Sequence, residues 1–244
     1  MTLQTLANRI AAANALGVQN LAAKGVTVGA NADTHTVMSA IANVPTGGNG
    51  VRYAQCGADG RPVVVDLTDW TPASLTESTA YGVTSCCIPP CSFMSDTPLG
   101  LYYTMTKLIC PHAVTGIGSK AFYCLSNFAP DADCFSFARL EVIGSNAFYR
   151  CQNLNGNGVL TNLALPLIRH IGGTAFSAAV GCEFLTGDVV LGSPGHAVTN
   201  VGANAFQNQS AITSITVYTN NGAALANENG TGWSCGTAAA FVSA

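Results

Sequence analysis

A chain of 244 residues can bury a sizeable core as one long domain, or as a domain with a small appendage, and needs no disulfides to do so. Only 9% of its residues are charged and the net charge is -3, with nine Lys and Arg scattered singly, so the basic stripe that neutralises phosphates is missing and nucleic acid is not an expected partner. Apolar runs stop short of the ~18 residues that suggest a membrane span, and the start, MTLQTLANRIAAANALG, sets an Arg in an amphipathic pattern, so no Sec-type signal is expected and the ten cysteines read as reduced thiols.

In chain order, Leu3, Leu6, Ile10, Ala13 and Leu21 fall mostly at helical spacing. Gly25 to Val28 reads as a short extended piece, and Thr34 is placed to cap a second helix carrying Val37 and Ile41. Residues 1–44 are therefore expected to form a small helical module for attachment and oligomerisation, because two short amphipathic helices cannot bury their apolar faces alone. The stretch LAAKGVTV, followed by this second helix, resembles the N-terminal segments of phage tail and fibre proteins. PTGGNG, residues 45–50, reads as a linker. Residues 51–105 alternate β-type runs (VRYAQC, PVVVDLTDW) with turns, and are read as a β-rich entry cap or as degenerate first coils of a repeat array.

From residue 106 the sequence repeats. Ile117-Gly118-Ser-Lys-Ala121-Phe122, Ile143-Gly144-Ser-Asn-Ala147-Phe148, Ile171-Gly172-Gly-Thr-Ala175-Phe176 and Val201-Gly202-Ala-Asn-Ala205-Phe206 align at spacings of 26, 28 and 30 residues. Upstream of each lies an apolar patch: LICPHAVTG, FARLEV, LALPLIRH and LGSPGHAVTN. Downstream come Cys124 with Phe128, Cys151 with Leu154, and Asn208 with Ile212. Each repeat is expected to offer a short strand, turn at the Gly, and drive its Ala-Phe pair inward, so that Phe122, Phe148, Phe176 and Phe206 stack as a structural core. The four glycines fit either a positive φ or a close backbone approach.

These residues resemble the BspA-like leucine-rich repeats, with L-x-x-I-x-L-P, then I-G-x-x-A-F, then Cys or Asn and a further Leu; Leu163, Leu165 and Pro166 are the best match to the strand portion. The resemblance covers residues 106–218, and residues 219–244 look like the closing strand and cap of such an array. It implies a β-rich leucine-rich-repeat solenoid that works by presenting a surface. The repeats are longer than the family's usual unit, so PDADCFS, NGNGVLTN and AAVGCEFLTGD are expected to bulge as loops.

Catalytic and metal-binding patterns lack their context. Gly232-Trp233-Ser234-Cys235-Gly236 matches G-x-S-x-G, but that nucleophile elbow needs a strand before it, a helix after it and a later His, and all four His precede residue 197. Cys86, Cys87, Cys91 and Cys110 have spacing ill-suited to one tetrahedral zinc. Cys124, Cys151 and Cys182 are read as small core residues, and His112 and His196, in P-H-A-V-T and G-H-A-V-T, as one repeating surface position. Asp131 and Asp133 are fewer carboxylates than calcium usually takes. Asn208 and Asn229 head glycosylation sequons. No catalytic residue, metal or cofactor is expected.

What remains is binding. Inserted loops and caps are free to vary, which makes Trp70, Tyr81, Tyr102, Tyr103, Asp131, Asp133 and the loop Pro130–Ser136 the candidate partner-binding residues, although Trp70 has the alternative role of closing the solenoid's end. The expected function is that of a phage virion protein of tail, baseplate or head fibre, meeting a host cell-surface protein or glycan and joined to other virion proteins through residues 1–44. The alternative is a bacterial cell-surface adhesin or interaction module exported by a non-Sec route.

Overall fold

The computed structural model describes residues 52–70, 87–95, 101–110, 112–130, 134–154, 160–229, 233 and 235–244. The expected helical module over residues 1–44 and the linker lie outside these residues. Within them the chain winds as a solenoid whose coils share one core.

The first face of the coils is a parallel ladder of two-residue strands: β3 (Cys87–Ile88), β5 (Gly116–Ile117), β6 (Val142–Ile143), β8 (His170–Ile171) and β10 (Asn200–Val201). Ile88, Ile117, Ile143, Ile171 and Val201 stand in register, each at most 1% exposed. Their burial against the same residue one coil away is what the recurring Ile-Gly step encodes.

The glycine after each of these strands is required by close approach and not by a positive φ. A Cβ on Gly144 would lie 2.4 Å from the backbone nitrogen of Ser119, and Gly118, Gly172 and Gly202 meet the preceding coil in the same way. Here consecutive backbones touch, with Gly144 N–H donating to Ile117 O at 2.7 Å. The left-handed conformation appears two residues later, at Cys91, Lys120, Asn146, Thr174 and Asn204, with φ of 54 to 59°. From this turn alternate N–H groups donate to the next coil, as in Lys120 N to Ser145 O, Phe122 N to Ala147 O and Cys124 N to Tyr149 O, so irregular backbone satisfies its polar groups as a sheet would.

The next turn aims the phenylalanines inward. Phe122, Phe148, Phe176 and Phe206 are all 0% exposed and form a column with centroid separations of 5.2, 5.3 and 5.5 Å. These separations are close to the strand spacing of a sheet, ~4.8 Å, so each ring is delivered by its own coil. Phe93 continues the column at 5.4 Å from Phe122, adding a coil in which Ile88-Pro89-Pro90-Cys91-Ser92-Phe93 takes the place of I-G-x-x-A-F.

The opposite face is less regular. β1 (Arg52–Cys56) pairs antiparallel with β2 (Pro62–Asp66), which pairs parallel with β4 (Lys107–Ile109). The third coil has a 3-10 turn, Phe137–Arg139, in place of a strand. The parallel order then resumes as β7 (Ala164–Leu165), β9 (Gly187–Leu191), β11 (Ile212–Tyr218) and β12 (Ala239–Val242). The inserts do not simply bulge into solvent. Phe135, Leu160, Phe184 and Leu185 are 3% exposed or less, because the apolar half of each insert folds back over the core. Residues 131–133 and 155–159 lie outside the described residues, and Val180, 87% exposed, marks a solvent-facing tip.

Both ends of the column are closed by aromatic edges. Tyr102 meets Phe93 edge-on at 5.3 Å and is itself covered by Tyr53. At the other end Trp233 meets Phe206 at 6.4 Å, and helix α1 (Gly222–Asn229) lies against β10, covering the outer edge of the five-strand ladder.

Candidate functional site

The sequence-derived candidates are scattered. Trp70 is 6% exposed, with its ring edge-on to His112 at 5.7 Å, so it offers no contact area and closes the first coils. Tyr102 is half-buried, and its hydroxyl lies 3.1 Å from that of Tyr53; burial, then this hydrogen bond, pushes its phenol well above the usual tyrosine range. It is an end-plate for the Phe column. Tyr103 is half-buried, with its carbonyl accepting from Asn127. Tyr81, Asp131 and Asp133 lie outside the described residues, and of the Pro130–Ser136 loop Cys134 and Phe135 are core.

The cysteines and histidines separate by position in the coil. Cys151 is wholly buried, donates from Sγ to Phe122 O at 2.8 Å, and has its thiol pushed up by burial. Gln209 holds the corresponding place two coils on, where Nε2 donates to Phe176 O at 2.6 Å and Oε1 accepts from the N–H groups of Phe184 and Leu185. Cys124 is not equivalent to Cys151: it falls one residue earlier, at φ 59°, where Arg150 and Asn208 also turn left-handed. Nor do the two P/G-H-A-V-T histidines share an environment. His112 lies under Trp70 with Nε2 2.8 Å from Leu67 O, whereas exposed His196 closes a tight turn with Ser193.

Chemistry at Gly232–Gly236 has the wrong surroundings. Trp233 and Cys235 are buried, and here helix α1 precedes the motif and strand β12 follows it, the reverse of a nucleophile elbow. Ser234 lies outside the described residues. Among the described residues no three His, Cys, Asp or Glu are placed to hold a metal ion, and no helix is long and apolar enough to cross a membrane. The Asn208 amide donates to Ala178 O at 3.0 Å, so its sequon nitrogen ties two coils together.

One outward side-chain group is ordered by the ladder itself. On two adjacent coils the residue after the core Phe is a tyrosine that reaches the surface. Tyr123 and Tyr149 stack at 5.0 Å with 15° between their planes. Lys120 Nζ lies 5.8 Å from the centre of Tyr123, and the Arg150 guanidinium 5.1 Å from that of Tyr149. Both cations are exposed, both rings half-buried. Partial burial leads the causes that raise the Tyr123 phenol, with its neighbours Cys124 and Tyr149 adding and Arg150 opposing. Sequence reading missed this group because Lys120, Tyr123, Tyr149 and Arg150 belong to two repeats; aligning the repeats places them side by side.

The model of the BspA type leucine rich repeat region matches residues 101–179 and 117–224, in six copies. No curated protein and no solved structure matches the chain. The two matched stretches together cover half of the sequence, and their strand, glycine and phenylalanine positions are those that build the coils of this solenoid. A solenoid of this kind typically serves as a scaffold for binding protein. The chain belongs to the BspA-type leucine-rich-repeat family.

Proposed function

We propose that the chain is a non-catalytic recognition module: a structural protein of a phage virion, in the tail, baseplate or a head fibre, that presents its repeats to a partner on the host surface. The observation that carries this reading is the outward group on Tyr123 and Tyr149, held in register by hydrogen-bonded coils over a continuous apolar column. A rigid display of this kind lowers the ordering cost of binding. The virion part rests on the likeness of LAAKGVTV and the helix expected after it to phage tail and fibre proteins; residues 1–44 are assigned as the attachment and oligomerisation module, and residues 219–244 as the closing cap.

Antibodies to the full chain should decorate purified particles, and the free full chain should compete with those particles for adsorption to host cells. Labelling of the bacterial surface, with particles unlabelled, overturns the virion reading in favour of a cell-surface adhesin. Competition that fails at saturating concentrations overturns host recognition.

A further inference from the structure

Lys120 and Arg150 occupy backbone positions that resist them. Both are left-handed, at φ 59° and 57°, in slots that other coils fill with the shorter side chains of Cys91, Asn146, Thr174 and Asn204, and of Cys124 and Asn208. Asparagine tolerates that conformation, whereas long side chains adopt it at a cost. Neither cation is in a salt bridge among the described residues, and each lies beside one ring of the stacked tyrosine pair. Two exposed cations on left-handed backbone, flanking ordered rings, resemble the local strain found where a surface is used.

The geometry points to an acidic segment of a partner protein as the ligand of this ledge, an assignment that rests on the proposed recognition function and names its site. The ring faces decide against a sugar. A pyranose stacks on an open aromatic face, but Tyr123 and Tyr149 already cover one another at 5.0 Å and have cations beside them. What remains outward is two cationic heads, two phenol hydroxyls and ring edges, all suited to carboxylates. The guanidinium of Arg150 can take a carboxylate in two-pronged fashion, and Lys120 offers a point charge at the other ring of the pair.

The test uses the full chain with Lys120→Asn and Arg150→Asn together, a pair that removes both charges while placing in each slot a residue that another coil carries there. Probes are a Glu-rich peptide, a Lys-rich counterpart and heparin. The wild type should bind the Glu-rich peptide, with affinity falling as salt rises, and the double variant should bind it roughly tenfold or more weakly. The melting temperature of the variant should not fall, which separates lost contact from lost fold. Unchanged peptide affinity in the variant overturns the proposal, as does a wild type that ignores the Glu-rich peptide or prefers heparin. Host envelope fractions separate the two readings. If wild type and variant bind them equally, recognition stands and this site for it falls; if neither binds while the peptide still depends on the two cations, host recognition falls and the ledge stands.

Discussion

The two faces of the coil obey different rules. On the Ile-Gly face, five strands of two residues each repeat without a break from β3 to β10. On the opposite face the strands run from two to seven residues, and the third coil substitutes a 3-10 turn for a strand. The difference follows from how closely the backbones approach. Where a Cβ would meet the previous coil at 2.4 Å, nothing can be inserted or enlarged without parting the coils. The opposite face is reached through loops, and lengthening a loop costs little, about 0.6 kcal/mol per doubling. Variation in repeat length is therefore absorbed on one side only.

The largest expected effect tests the column both faces share. Phe148 is wholly buried between Phe122 and Phe176, so Phe148→Ala should cost about 3–5 kcal/mol in chemical denaturation, because the neighbouring coils are held apart by their hydrogen bonds and cannot close the cavity. Phe137→Ala, at the broken rung and 6% exposed, should cost less. Equal losses at the two sites would mean that the irregular rung is as tightly specified as the regular column.

Next in size is Gly144→Ala. Its new methyl would meet the backbone of Ser119, and the expected loss is about 3 kcal/mol, at the upper end for overpacking. Gly195→Ala supplies the contrast: it has open space but a φ of +85°, so only the backbone term of about 1–2 kcal/mol applies. A Gly144→Ala protein as stable as the wild type would show that the coils can part, and that close approach does not set the regularity of this face.

Gln209→Leu keeps the volume and removes the polar groups. It leaves the buried N–H groups of Phe184 and Leu185 and the carbonyl of Phe176 without their side-chain partner, for an expected loss of about 2 kcal/mol. The exchange protection of those two amides should fall with it; unchanged protection would mean that the insert is held by its apolar residues alone.

The same contrast explains what is legible in the sequence. The four Ile-Gly…Ala-Phe segments stand out because close approach admits one residue type, and a constraint that strict leaves a visible pattern. The coil through Ile88 and Phe93 escapes that pattern because Pro89 stands where the others have Gly. Among the described residues β3 is the edge of its ladder, and proline has no N–H to leave unpaired at an edge. The misalignment of Cys124 with Cys151 has a similar origin: sequence comparison matches small residues by type, while the coil sorts them by backbone conformation and burial. The inserts read as loops because their length is visible, whereas their inward-turned Phe135 and Phe184 are set by contacts between coils. Helix α1 carries no repeat signal at all, and the ledge becomes visible only when two repeats are superposed.

The smallest effect expected is a gain, and it bears on how far backbone preference shapes the regular face. Thr174 is the β-branched member of the left-handed column, at φ 54°, where Asn146 and Asn204 stand one coil to either side. β-Branching makes that conformation costlier than it is for asparagine. Against this, the Thr174 hydroxyl lies 2.8 Å from Asn146 Oδ1 and 2.6 Å from Gly173 O, so part of the strain is offset by a hydrogen bond. An asparagine there can donate its own amide to Asn146 Oδ1 and continue the side-chain ladder. Thr174→Asn should therefore stabilise the protein by about 0.5–1 kcal/mol, the scale of gains from better-suited residues at special backbone positions. In a chain of this size that is a rise of about 1–4 °C in melting temperature. A fall would show that the hydroxyl contributes more than the backbone strain costs, and that the column of left-handed residues is maintained by its side-chain contacts and not by conformational preference.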